Sequence, residues 1–293
     1  MNPQKKQALQ SGALSLCILI VMLAVWHLAT LPAKTAPGPV VTLTAEQIEY
    51  QKLLGKDPTL PEADKKSSGF PTLAQMGSTV VKNLSSPFYD NGPNDKGIGL
   101  QLGYSLGRVA LGFGIAALIA IPLGFLIGMS RMLYRALDPF IQVLKPISPL
   151  AWMPLALYTI KDSSISGIFV IFICSVWPML INTAFGVAGV RREWLNVAKT
   201  LEVSRLRLAF EVILPAAAPT ILTGMRISMG IAWLVIVAAE MLVGGTGIGY
   251  FVWNEWNNLS IANIVTAILL IGLVGLLLDQ GLAYLAKLVT YPE

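Results

Sequence analysis

Between Gly12 and Leu31 the chain carries no acidic or basic side chain other than the lone His27. An apolar run of ~20 residues reaches across the hydrocarbon core of a bilayer. It also exceeds the ~7–15 residues of a signal-peptide core, so it predicts an uncleaved first membrane helix. Lys5 and Lys6 then stay in the cytoplasm and residue 33 emerges outside. The rest of the chain repeats the pattern. Of its 293 residues 55% are hydrophobic and only 13% charged, whereas about a quarter of a soluble domain is charged. Such a chain cannot keep its surface wet, and the fold class it predicts is all-α, a polytopic integral membrane protein. The net charge of +5 is then assigned to basic cytoplasmic loops and not to nucleic acid. Cys17 and Cys174 lie in apolar runs and no Cys/His cluster is present. Neither a disulfide nor a metal site is expected, and His27 beside Trp26 reads as interfacial packing.

The charge pattern divides the chain into three regions. Residues 1–31 form the cytoplasmic N-terminus and first membrane helix, 32–97 an external (periplasmic) insert, and 98–293 a five-helix core. The insert is rich in Pro, Gly and Lys, with its acidic residues matching its lysines in number. A helix near Thr44–Leu54, a linker over Pro61–Gly69 and a helix near Thr72–Leu84 are predicted. Being longer than ~60 residues, the insert does not bear on orientation.

In the core, the first helix is expected over Leu102–Met129, with Gly107, Gly112, Gly114, Gly124 and Gly128 permitting close helix approach. A turn with Arg131 and Arg135 follows. The span Pro139–Ile160 holds Pro146, Pro149 and Pro154, too many for an unbroken helix, so it is expected to be bent or partly unwound. Broken backbone at membrane depth belongs where it is buried in protein or lines a cavity. Helices over Ile165–Val187, Ala216–Val243 and Ile261–Leu285 complete six spans, with a basic loop at 188–215 and an external segment at Gly244–Asn258. Six spans return both termini to the cytoplasm. The short internal loops then hold Arg131, Arg135, Arg191, Arg192, Lys199, Arg205, Arg207 and Lys287, against Lys161 alone in the short external ones, as the positive-inside rule requires.

Ionisable groups within a bilayer cost ~2.5–3.5 kcal/mol or more each, so each needs a partner or a role. Arg108 and Glu240 fall near the external end and are expected to form a structural ion pair, a transport role being the alternative. Lys145 and Arg226 fall in the cytoplasmic half, where Asp279 is placed to neutralise Arg226. Lys145, or Arg226 if it stays unpaired, would lend a pathway the positive potential that suits an anion. Trp152, Met153, Trp177 and Trp233 stand on the helices around the breaks, where bulky side chains either gate a pathway or pack the core. The candidate anion pathway is Lys145, Met153, Arg226 and Trp233. Tyr250, Phe251, Trp253 and Trp256 read as an interfacial belt.

Gly244-Gly245-Thr246-Gly247-Ile248-Gly249 invites a phosphate-loop reading, which fails: no strand precedes it, no Walker lysine follows, and topology places it outside the cell. No catalytic constellation stands out either, so no enzyme is expected. If ATP drives the protein, another subunit binds it.

The remaining landmark is residues 191–219, a basic segment between very apolar ones. Arg191, Arg192, Lys199, Arg205 and Arg207 alternate with Trp194, Leu195, Val197, Leu201, Leu206, Leu208 and Phe210. This predicts an amphipathic helix or helix pair, closed by Pro215. Asn196-Val197-Ala198, three residues, Glu202, nine residues, then Val212-Ile213-Leu214-Pro215 resembles the "EAA" loop of ABC importer permeases. The family pattern is Glu-Ala-Ala, three residues, Gly, nine residues, Ile-x-Leu-Pro. Asn196, Val197, Glu202 and Val212 depart from it, while Ala198, Leu214, Pro215 and the spacing agree.

Further stretches, SLGRVALGF (105–113), SPLAWMPLALYTI (148–160) and ILPAAAPTILTGMRISMGIAWLVIVAAEML (213–242), are similar to permeases of type I ABC importers in the nitrate/sulfonate/bicarbonate branch. The likeness covers about residues 98–293. SGFPTLAQMGSTVV and FYDNGPNDKGIG in the insert resemble the cyanobacterial nitrate permease group and its bicarbonate relatives.

The resemblance implies the six-helix permease fold in the inner membrane and import of nitrate (and nitrite), with bicarbonate or a sulfonate as alternatives. It implies two cytoplasmic ABC ATPase subunits carrying ATP and Mg, and a periplasmic substrate-binding protein. An ATPase dimer offers two grooves, so a second copy of this chain is expected, with membrane lipid around the pair. Asn196, Val197, Ala198, Leu201, Glu202, Arg205, Leu214 and Pro215 would form the segment that couples to the ATPase. The remote alternative, an ion-coupled secondary transporter or channel, would need no ATPase contact.

Overall fold

In lipid the backbone satisfies its hydrogen bonds only within helices or closed barrels, and uninterrupted apolar stretches of about 20 residues select the helix. The computed structural model describes residues 3–30, 70–92 and 94–289. The helix expected near Thr44–Leu54 and the linker at Pro61–Gly69 lie outside them. Among the described residues there are ten named helices and no named strand: α1 (Pro3–Ala29), α2 (Leu73–Ser85), α3 (Ile98–Met129), α4 (Arg131–Leu144), α5 (Met153–Ile160), α6 (Ser163–Ala188), α7 (Arg192–Thr200), α8 (Arg205–Val243), α9 (Ile248–Asn257) and α10 (Ile261–Val289). Five are long and apolar enough to cross a membrane, and six spans result if the bent pair α4–α5 counts as one.

The described residues fall into two units. The first contains α1, α2 as far as Lys82 and the start of α10. There α2 opens with a capping box: the Thr72 amide donates to Gln75 Oε1 at 2.9 Å and the Gln75 amide to Thr72 Oγ1 at 3.3 Å. Trp26 donates its indole N–H to the Pro71 carbonyl at 3.0 Å and meets Phe70 edge to face. Along α1 the apolar side chains from Leu14 to Leu28 are exposed, as a helix surrounded by lipid requires.

The second unit is built on α3, α6 and α8. Helices α3 and α6 run parallel and α8 runs against both. Gly112, Gly124 and Gly128 of α3 let it lie on α6, for a Cβ at these positions would strike Ile171, Thr183 and Val187. Gly107 and Gly114 face open space, so only three of the five glycines serve close approach. Helix α6 starts at Asp162, whose carboxylate accepts from the Ile165 amide at 2.7 Å.

Three boundaries differ from expectation. Arg131 and Arg135 do not sit in a turn: they open α4, capped by Ser130, whose hydroxyl accepts from the Leu133 amide. The break in the proline-rich span falls at residues 145–148, beyond Pro139, and a short 3₁₀ turn, Pro149–Trp152, leads into α5 at 85° to α4. Gly244–Asn258 is largely helical: α9 buries Ile248, Gly249 and Phe251, so Phe251 packs the core and leaves the expected belt to Trp253 and Trp256, which are exposed.

Candidate coupling segment and buried polar node

Helix α7 is short and strongly two-faced. Glu193 in its first turn and Lys199 in its last complement the helix dipole. Arg191 lies 5.5 Å from the Trp194 ring centroid, within reach of a cation–π contact. Ala198 is buried, and Leu195 packs with Leu208 against a cluster formed by Val187, Val190, Ile213, Ala217 and Ile221. These contacts root the helix on α6 and α8. The neighbouring face carries Trp194, Val197 and Leu201 at helical spacing, 46, 59 and 70% exposed. An apolar stripe so open on a rooted helix is suited to a protein groove.

The helix ends in a Schellman motif. The Val203 amide donates to the Ala198 carbonyl at 3.1 Å and the Glu202 amide to the Lys199 carbonyl at 3.0 Å. That arrangement places Glu202 in the left-handed region, φ 49°, where glycine is the usual residue. The departure from the family pattern at this position therefore has a physical meaning: the turn that glycine serves is retained, with a strained Glu in it. Ser204 then caps the next helix, accepting from the Arg207 amide.

Pro215 does not close the helix. Helix α8 runs from Arg205 through Pro215 to Val243, and residues Leu208–Ile213 form a π-helical turn directly before it. The Leu214 amide reaches back five residues to Ala209. The widened turn makes room for the proline ring, which would otherwise clash with a carbonyl one α-turn back. Of the coupling candidates, Asn196, Val197, Ala198 and Leu201 lie on α7 or its end, Glu202 in the turn, and Arg205, Leu214 and Pro215 on α8.

The pathway candidates do not converge. Met153 is buried beside Val170, Cys174, Val235 and Ala239. Trp233 is buried in another cluster and donates its indole N–H to the Ile271 carbonyl at 2.9 Å. Arg226 makes a two-pronged contact with Asp279, at 2.8 and 3.1 Å, which neutralises it. Lys145, at the end of α4, is exposed.

At the opposite end of the bundle Arg108 Nη1 lies 2.6 Å from Glu240, with the two side chains 11 and 4% exposed. More than an ion pair is present. The Glu240 carboxylate also accepts from Ser105 Oγ at 2.7 Å and from the Gly249 amide at 3.0 Å. The Ile248 amide donates to Ser105 Oγ at 2.9 Å and the Gly247 amide to Gln101 Oε1 at 2.6 Å. The first amides of α9 are thus satisfied by side chains of α3 and α8 rather than by a local cap. Arg108 completes the node through Thr246 Oγ1 and Ser164 Oγ, both at 2.9 Å.

Here the glycine run finds its use. A Cβ at Gly247 would occupy the place of the Glu240 carboxylate, and one at Gly249 would collide with the Val237 carbonyl. The loop is an anion cradle after all, and the anion is the chain's own Glu240. Sequence reasoning reached the two charges by their matching depth. It missed Gln101, Ser105 and Ser164, which are neutral and carry no pattern of their own; the dense glycine run was the one available signal.

An apolar helical bundle with a short basic helix rooted at one end defines a class, the polytopic membrane protein. The chain belongs to the family of binding-protein-dependent transport system inner membrane components, whose model matches residues 120–291. It is 46% identical over 228 residues to the nitrate import permease protein NrtB of Synechocystis sp., covering 78% of this chain and 83% of that protein. It is 47% identical over 207 residues to the bicarbonate transport system permease protein CmpB of the same organism, covering 70 and 74%. Among solved structures it is similar to the inward-facing MetNI methionine ABC transporter, with a TM-score of 0.58 at 14% identity over 64% of this chain and 94% of that one. An amino acid ABC transporter gives 0.54 at 14% identity, over 74 and 97%. At such identity these likenesses establish the fold alone. The chain is an ABC importer permease subunit of the inner membrane, a multi-pass protein and not itself an enzyme.

Proposed function

We propose that this permease imports nitrate (and nitrite), working as two copies on two cytoplasmic ABC ATPase subunits that bind ATP and Mg, and fed by a periplasmic binding protein. The observation that carries the coupling part is α7: rooted through Leu195 and Ala198, with Trp194, Val197 and Leu201 open to a partner. Closure of the ATPase pair on ATP would move that helix as one body with α6 and α8. The end bearing α7 holds Arg191, Arg192, Lys199, Arg205 and Arg207, which supports placing it, and both termini, in the cytoplasm. Nitrate is supported by the relatives named nitrate import permeases, at 46 and 47% identity. Lys145 supplies a positive charge suited to such a cargo, while Arg226 is neutralised by Asp279.

The test is uptake of labelled nitrate into proteoliposomes holding the permease, its co-purified ATPases and the binding protein. ATP-dependent uptake that ignores bicarbonate is expected. The bicarbonate reading is favoured by the 47% identity to CmpB, and competition by excess bicarbonate would move the assignment to it. Replacing Leu214→Asp together with Pro215→Ala should leave the chain inserted but separate ATP hydrolysis from uptake. Wild-type uptake in that variant would overturn the role given to residues 191–215.

A further inference from the structure

Helix α4 turns a charged stripe to a cleft, beside Ile141, which packs on the bundle core. Arg131, Arg135, Asp138, Gln142 and Lys145 recur at spacings of four and three, and at about 100° per residue they share an arc of about 80°. Lys145 keeps helical backbone as the C-terminal cap, so it stays in phase. All five line one cleft of about 370 Å³. Its far wall is apolar: Ile127 and Gly128 of α3, and Leu180, Ile181, Ala184 and Phe185 of α6. Met132, Phe140 and Val143 point the other way and are exposed. A helix that only packed on this bundle would turn its apolar face to α6 and its charges outward.

The stripe is also unsatisfied. Among the described residues none of the five makes an ion pair or a hydrogen bond through its side chain. Three cations and one carboxylate leave the cleft at net +2. Arg131, Arg135, Gln142 and Lys145 are exposed, so water reaches them, and a cleft of net positive charge without a protein counter-ion draws anions from that water.

We propose that this cleft is a binding site for a small oxyanion. Arg131 and Arg135 offer planar forks that match two oxygens of such an ion. Gln142 adds an amide donor and Lys145 an ammonium. The volume admits a nitrate-sized ion with several waters, each of ~30 Å³. Asp138, in the middle of the stripe, opposes the ion and keeps its affinity low, as a site on a path must. That the ion is nitrate rests on the anion-permease reading; that an oxyanion binds does not. The phosphate of an anionic lipid at this end of the bundle has the same chemistry, and the test separates the two sources.

The intact permease with its ATPase subunits is placed in nanodiscs of phosphatidylcholine alone, at ionic strength held with gluconate. Binding of ¹⁵N-nitrate is read from line broadening without ATP. A second arm uses phosphatidylglycerol discs without nitrate and reads the melting temperature. Replacing Arg135→Gln with Lys145→Gln should weaken nitrate binding by about tenfold or more, since charge-assisted hydrogen bonds are lost. Asp138→Asn should tighten it by about three- to tenfold, a like charge being removed. Opposite shifts from two variants cannot come from misfolding. If only the phosphatidylglycerol arm depends on these residues, the site stands and its ligand is lipid phosphate. Equal broadening in all three proteins, with no effect of phosphatidylglycerol, overturns the proposal. Because this assay reads binding and not uptake, failure of nitrate import in the proteoliposome assay would defeat the transport reading and leave the site intact.

Discussion

Glu202→Gly is expected to make this permease more stable. Glu202 holds φ 49° in the Schellman turn that ends α7. A left-handed conformation costs an L-residue roughly 1–2 kcal/mol. Glycine relieves that strain but adds about 0.4–1 kcal/mol of unfolded-chain entropy. A carboxylate beside a helix C-terminus opposes the dipole, and its removal returns about 0.3 kcal/mol. No lost contact subtracts further, because the Glu202 side chain makes no hydrogen bond or ion pair among the described residues. The net gain is about 1 kcal/mol, or about 2 °C in melting temperature for a chain of this size. Glu202→Gln separates the causes, since it keeps the strain and should gain only the dipole part. Thermal unfolding in detergent gives the global value, and hydrogen exchange at the Glu202 and Val203 amides gives the local one. A lower melting temperature with faster exchange at those amides would refute the strained-turn account. So would a full gain from Glu202→Gln.

Arg108→Met should cost about 3–5 kcal/mol, because it strands the buried Glu240 carboxylate. The double replacement with Glu240→Met should cost less than the two single losses together, and additive losses would mean the pair is not coupled. Gly249→Ala should destabilise strongly through the Val237 carbonyl, whereas Gly272→Ala, with open space around it, should be neutral or stabilising; equal melting temperatures would count against the close packing of α9 on α8. Before α3, the hydrogen bond from Lys96 and then the Gly92 amide hold the Asp90 carboxyl below the usual carboxylate range. A group lowered in the folded state contributes stability above its ordinary value of about 4, and the contribution is lost as pH falls through the folded value. Lys96→Met should therefore raise the Asp90 titration toward about 4, read from its carboxyl ¹³C shift, and an unmoved titration would break the link.

Much of the bundle could be read from hydropathy because lipid allows so few backbone solutions. Helices α1, α3, α6, α8 and α10 each contain a long, predominantly apolar run, and their ends were displaced where polar or glycine residues continue a helix, as at Ile98 and Arg205. Helix α4 escaped because Arg131 and Arg135 in sequence look like a loop; its charged stripe has meaning only beside α6. Helix α9 escaped because its first amides are capped from distant segments, by Gln101, Ser105 and Glu240, leaving no local signal. Pro215 misled because proline usually ends a helix, and the residues that spare it, Leu208–Ile213, show no composition that marks a π-turn. The coupling segment was legible as a segment. Its strain at Glu202 was visible only as a mismatch until the backbone gave it a cause.

The π-turn separates the number of residues from the direction they impose. A turn closed over five residues takes about one residue more than an α-turn to come round to the same bearing. One residue within Leu208–Ile213 therefore adds length but almost no rotation. Removing it, with Pro215→Ala to relieve the ring, would restore a regular helix and leave α7 pointing as it does now. A chain with one residue fewer between the Glu202 turn and Leu214 can thus present the same face, and one of identical spacing without the π-turn would present a face about 100° away. The aim of this segment is held in how the helix is wound and not in how long it is.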